Sequence, residues 1–181
     1  MDKASINKKT TWLYHSNPEN TNRFVLGQKG KKIIACIGVN PSTASPEKPD
    51  NTIRSVKRIA DYNGFDGWAM YNIYPQRATD PAALDQAVNK ADAAVNCQMI
   101  YDSIKALNIE TVWLAWGNLI DSRAYLKNCL IGIYEILKEE NLHWKIIGKP
   151  TKRGHPSHPL YKKRENPLID FDMEAYLKKR L

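Results

Sequence analysis

Half of the chain's four histidines fall within four residues, in Arg153-Gly154-His155-Pro156-Ser157-His158-Pro159-Leu160-Tyr161. A loop so rich in proline cannot continue a helix. A neutral imidazole on such a stiff loop can donate to a developing oxyanion or move a proton near pH 7. A second loop, Val39-Asn40-Pro41-Ser42-Thr43-Ala44, follows an apolar run. Pro41 drives Asn40 out of the α region and fixes an amide where it can hold a water or a substrate hydroxyl. Asn72 interrupts a third apolar run, 67–74. A buried amide must find hydrogen bonds, and Asn can read a base edge bidentately.

Each of these signals has a plainer alternative: a turn starter, a rigid surface loop, a satisfied structural amide. His155 and His158 lack the Cys or HExxH partners of a metal site, so neither a metal nor any other cofactor is expected. There is no P-loop, GxGxxG, GxSxG or paired-carboxylate signature. Ser42 or Ser157 would need a nucleophile-elbow context to serve in a triad, and none is present.

The 181 residues carry 27 Lys and Arg against 19 Asp and Glu, a net charge of +8. The excess sits at the two ends. Between 149 and 164 the sequence has Lys149, Lys152, Arg153, Lys162, Lys163 and Arg164 and no acid. Lys152, Arg153, Lys162, Lys163 and Arg164 are therefore candidates to hold the phosphates of a nucleotide or nucleic acid, with a solvated basic surface as the alternative. The three cysteines are widely spaced and form neither a disulfide framework nor a CxxC motif, which implies a reducing, cytoplasmic setting. No apolar run approaches the roughly 18 residues of a spanning helix, so no membrane partner is expected. The first residues, MDKASINKKTTW, lack the apolar core of a secretory signal.

The elements that must position these residues alternate. Apolar strands are predicted near 32–39, 67–74, 111–116 and 143–148. Residues 23–26 form a further, N-terminal edge strand, joined to 32–39 as a hairpin by the turn-rich Gly27-Gln28-Lys29-Gly30. Helices are predicted over 52–62, from the cap Thr79-Asp80-Pro81 to about Leu107 with a break near Asn89, over 121–140 and near 171–180. The expected fold is α/β: a three-layer sandwich around a four-stranded parallel sheet, in a single domain of 1–181. Its core runs over about 23–169, with the first 22 residues loosely ordered. Ligands of such sheets sit beyond the carboxyl ends of the strands. Asn40, Asn72, Gly117-Asn118 and the His155 loop all follow strand ends, so they are expected to share one edge.

From about 23 to 169 the chain resembles the bacterial and phage family known as domain of unknown function 1643. The matching marks are Asn40 to Ala44, Asn72 with Arg77-Ala78-Thr79-Asp80-Pro81, Ala115-Trp116-Gly117, and Gly154 to Tyr161. More distantly, GVNPS at 38–42, Ala115-Trp116-Gly117 and HPSHPL at 155–160 are similar to the motifs of the uracil-DNA glycosylase superfamily. That resemblance implies a glycosylase-like sandwich. Asn40 would position an attacking water, and His155 would donate to the departing base. Asn72 would read the Watson–Crick edge, and Leu160 would wedge into the gap left by a flipped nucleotide. Pro41, Ser42, Thr43, Trp116, Gly117, Asn118, Ser157 and His158 would complete the substrate site. Ser42 stands where the classical enzymes carry a bulky Tyr, His158 splits the second motif, and position 40 is not acidic. The implied function is thus nucleotide- or nucleic-acid-directed. One form is an N-glycosidic-bond hydrolase; the alternatives are a base-recognition module that does not cleave and an unrelated enzyme acting on a free nucleotide.

Overall fold

A computed structural model describes residues 12–160 and 162–180. Seven strands form one mixed sheet: β1 (Trp12–Ser16), β2 (Arg23–Gln28), β3 (Ile33–Gly38), β4 (Gly67–Asn72), β5 (Thr111–Leu114), β6 (His143–Ile147) and β7 (Leu168–Asp170). Their spatial order is β1-β2-β4-β3-β5-β6-β7. β3 pairs in parallel with β4 and β5, and β5 in parallel with β6. Antiparallel strands extend both edges, β1 and β2 beside β4 and β7 beside β6.

The central strands are buried along their whole length because helices cover both faces. α1 (Asn51–Tyr62) packs on one face, and α2 (Lys90–Ala106), α3 (Ala124–Leu137) and α4 (Met173–Arg180) lie on the other. The period-2 alternation of each strand divides its side chains between two apolar clusters. Ile34, Cys36, Trp68, Met70 and Trp113 join Ile53, Val56 and Ile59 of α1. Ala35, Ile37, Tyr71, Val112 and Leu114 join Ile100, Ile104, Leu126 and Leu130 of α2 and α3. Asp50 caps α1 by accepting the Ile53 N–H at 2.8 Å, a contact worth about 1 kcal/mol.

Three expectations are corrected. β2 and β3 are not a hairpin, because β4 lies between them. The Lys32 carbonyl accepts the N–H groups of Asp66 and Gly67, and the Asp66 carboxylate accepts the Lys32 N–H at 2.6 Å. The turn is thereby tied to the start of β4, and β3 emerges on the far side of it. The helical region expected from Asp80, with a break near Asn89, is helical only beyond that break: α2 starts at its cap Asn89, whose Oδ1 accepts from Ala91 and Asp92. Before it lies a single short 3₁₀ turn at Pro81–Ala83. The N-terminal extension supplies two strands to the sheet, not one: β1 lies inside the first 22 residues, while residues 1–11 lie outside the described residues. Among the described residues no helix is long and apolar enough to cross a membrane.

Candidate functional site

β3 and β4 end level with each other, Gly38 facing Asn72 in the parallel register. Beyond that edge opens a cleft of about 440 Å³. Asn72 lies at its floor with 1% of its surface exposed, and neither Oδ1 nor Nδ2 has a hydrogen-bond partner among the described residues. The backbone of Asn72 is held firmly by contrast. Nδ2 of Asn96, from α2, donates to the Asn72 carbonyl at 2.9 Å. Gly38 makes room for the amide: a Cβ at that position would lie 3.1 Å from Asn72 Oδ1 and 2.7 Å from the Met70 methyl. An Asn desolvated on both its donor and its acceptor is costly in the free protein. It is the arrangement a ligand presenting a matched acceptor and donor would complete.

The loop after β3 forms one wall. Asn40 Nδ2 donates to the carbonyls of Pro41 (3.0 Å) and Ala78 (2.8 Å), so what Asn40 can offer a ligand is its Oδ1. The Ala78 N–H returns a bond to the Pro41 carbonyl, and the Ser42 and Thr79 hydroxyls lie 3.1 Å apart. Pro41, Ser42 and Thr43 line the cleft with Asn40. So do His158 and Leu160 of the histidine loop, and with Asn72 these seven positions come together as a site.

The half-buried His158 takes a defined tautomer. The Leu160 N–H donates to its Nδ1 at 3.2 Å, which leaves Nε2 to carry the proton and donate. Burial lowers its pKa below the ordinary 6.5, against a weaker opposing pull from Asp50. The unfolded chain therefore takes up this proton first as pH falls. His158 contributes stability that is present above about pH 6.5 and lost as the pH falls through its lowered folded value. Urea unfolding between pH 7.5 and 5 should show a shallower loss of stability in His158→Gln than in the parent; identical slopes would contradict this account.

His155 does not line the cleft. It is 3% exposed and its two nitrogens are occupied: Nδ1 lies 2.7 Å from Tyr176 Oη, and Nε2 lies 3.0 Å from Asp121 Oδ2. Trp116 Nε1 donates to the same Tyr176 oxygen at 3.1 Å. The Tyr hydroxyl then gives its one proton to Nδ1, and Nε2–H donates to Asp121, a chain in which every group is satisfied with a neutral ring. Burial pushes the Tyr176 hydroxyl up to about 12. Burial also acts to raise the Asp121 carboxyl, but the hydrogen bonds from His155 and Lys127 and the charge of Lys127 outweigh it and hold it below its usual range. The expectation that His155 serves as the donor in one site with Asn40 is therefore corrected; of the loop's two histidines it is His158 that lines the cleft.

Trp116, Gly117, Asn118 and Ser157 likewise lie outside the cleft and build its support. Gly117, at φ +60, donates its N–H to the Pro156 carbonyl at 2.8 Å and pins the histidine loop to the end of β5. Asn118 accepts from the Thr151 hydroxyl, and Ser157 donates to the Lys149 carbonyl. None of Lys152, Arg153, Lys162, Lys163 and Arg164 lines the cleft; Arg153 pairs with Asp121 and Arg164 with Glu165.

The residues that sequence reasoning missed are Arg23, Asp50, Asn51, Thr52, Thr79 and Leu119. Asp50 carried a signal, as an Asp before a helical pattern, but it read as a cap. Arg23 carried one too, a cation at the head of an apolar strand. No curated protein matches the chain. A family model does match, over residues 23–160, and by that match the chain belongs to the family described as protein of unknown function (DUF1643).

Proposed function

We propose that the cleft recognises the base of a nucleotide or nucleic acid, with Asn72 reading its hydrogen-bonding edge. The observation that carries this is the unpartnered Asn72 amide, buried at the floor of a cleft of about 440 Å³. One amide offers a donor and an acceptor side by side, the pattern that pairs with a base edge. The neutral His158, with Nε2 free to donate, supplies a second polar point, and Leu160 and Leu119 supply apolar surface. The Asn-Pro loop after β3 and the His-Pro loop after β6 stand at one sheet edge, which supports the glycosylase-like scaffold.

One observation favours hydrolysis as a second reading. Asp50 is the carboxylate that lines the cleft, and its Oδ1 is engaged by the Ile53 N–H, leaving Oδ2 to hold and deprotonate a water. Asn40 would orient that water through Oδ1, and His158 would donate to the base as negative charge develops on it.

Calorimetry of the full chain against nucleosides and short oligonucleotides, including uracil and deaminated bases, tests the first reading. A base-containing ligand should bind, and no binding at millimolar concentration would overturn the proposal. Chromatography of the same mixtures tests the second. Release of free base by the parent, with Asp50→Asn binding normally but releasing none, would establish hydrolysis; binding without release would leave a recognition module.

A further inference from the structure

We infer that Arg23 and Arg77 form an anion-binding subsite for a phosphate ester at the wall of this cleft. The inference deepens the base-recognition reading and rests on it for the group that carries the phosphate. Arg23 is 2% exposed and lines the cleft, yet neither it nor Arg77 lies within ion-pair distance of a carboxylate among the described residues. The two cations also converge. Nη1 of Arg23 and Nη1 of Arg77 both donate to the Ala44 carbonyl, at 3.2 and 3.3 Å, and Arg77 also holds the Ser42 carbonyl and the Tyr14 hydroxyl. The Nε hydrogens of both guanidinium groups are buried without a partner among the described residues.

Two like charges so placed repel each other and have lost much of their hydration. Burial first, then Arg77, lowers the Arg23 pKa to about 10, while Asp50 pulls more weakly the other way. Asp50 offsets the pair only in part: among the described residues it makes no ion pair with either guanidinium, and its pull on Arg23 is weaker than burial and than the repulsion of Arg77. The first turn of α1 adds to the attraction. The N–H groups of Asn51 and Thr52 have no carbonyl within the helix to bond, and both residues line the cleft. A phosphate, with several acceptor oxygens and up to two negative charges, matches forked guanidinium donors and helix N–H groups better than a neutral ligand can. Arg77 lines an adjoining hollow that shares Ser42, Thr43, Ala78 and Thr79 with the cleft. A base over Asn72 thus leaves its phosphate within reach of this corner. The basic residues between 152 and 164 line neither hollow and are not needed for it.

Calorimetry of the full chain with nucleosides, their 5′-monophosphates, inorganic phosphate and a short single-stranded oligonucleotide tests the inference. A phosphorylated form should bind about ten- to a hundredfold tighter than its nucleoside, the worth of one or two charge-assisted contacts. Preference for the oligonucleotide would place that phosphate in a polynucleotide, and preference for the monophosphate in a free nucleotide; either supports the subsite. Arg77→Gln should erase the advantage, so that in this variant the phosphorylated form binds no tighter than its nucleoside. Equal affinity for nucleoside and phosphorylated forms would overturn the subsite and leave the base reading standing. Binding of inorganic phosphate and monophosphates with no dependence on Asn72 would support the subsite and overturn the base reading. An advantage that survives both Arg77→Gln and a folded Arg23→Gln would also overturn the subsite, since the phosphate would then be held elsewhere.

Discussion

An Asn72→Ala chain should melt higher than its parent and lose its ligand. The two effects have one cause. In the free protein the Asn72 amide is desolvated at 1% exposure with neither polar atom partnered, so the fold carries its dehydration without return. Removing it relieves about 1 kcal/mol, which for a chain of this size raises Tm by about 2–4 °C. The cleft is open above the residue, so truncation leaves little closed cavity to offset the gain. With ligand present the sign reverses. A bidentate amide–base contact is worth about 1–3 kcal/mol of discrimination, so affinity should fall roughly five- to 150-fold. Thermal unfolding with and without ligand reads both numbers. A structural Asn would give the opposite first result, a lower Tm, and that outcome would remove the main support for a base-reading role.

The central strands were legible because their signal is local. Ile33–Gly38, Gly67–Asn72 and Thr111–Leu114 are buried along their whole length and read as runs that need cover on both faces, and His143–Ile147 is marked by its buried end, Ile146-Ile147. Pairing is not local. The turn chemistry at 27–30 reads as a hairpin whether or not another strand intervenes, and only the contact of Lys32 with Asp66 decides that β4 does. β1 is amphipathic and lies at the sheet edge, where Tyr14 and His15 remain exposed, so it lacks the apolar density that betrays a strand. The cleft loops were legible for a similar reason: the switch-edge rule needs only strand ends. Arg23 escaped because its role depends on Ala44 and Arg77, respectively 21 and 54 residues away in sequence. Spacing also leaves open which of two histidines three residues apart faces a ligand. The answer lies in α4, whose Tyr176 draws His155 inward to the opposite side of the loop.

The two histidines should accordingly fail in different ways when replaced. His155 is a buried link between a hydroxyl and a carboxylate, so His155→Ala leaves Tyr176 and Asp121 without their partner and opens a void beside the Tyr176 ring. A neutral hydrogen bond, a charge-assisted one and the lost packing together amount to about 2–4 kcal/mol, a fall in Tm of roughly 5–15 °C. The part of the chain that survives folded should still bind with nearly the parent affinity, because none of these atoms lines the cleft. His158→Ala should do the reverse. Among the described residues its side chain makes one hydrogen bond, accepted from Leu160, so the fold loses little, while the ligand loses the Nε2–H donor and about tenfold in affinity. If the cleft cleaves a glycosidic bond, the same change should cost about two to three powers of ten in rate, as one oxyanion-type donor does. Melting curves and ligand titrations on the two variants separate these outcomes. A His155→Ala chain of parental Tm that had lost its ligand would return the chemistry to His155 and refute the assignment of His158.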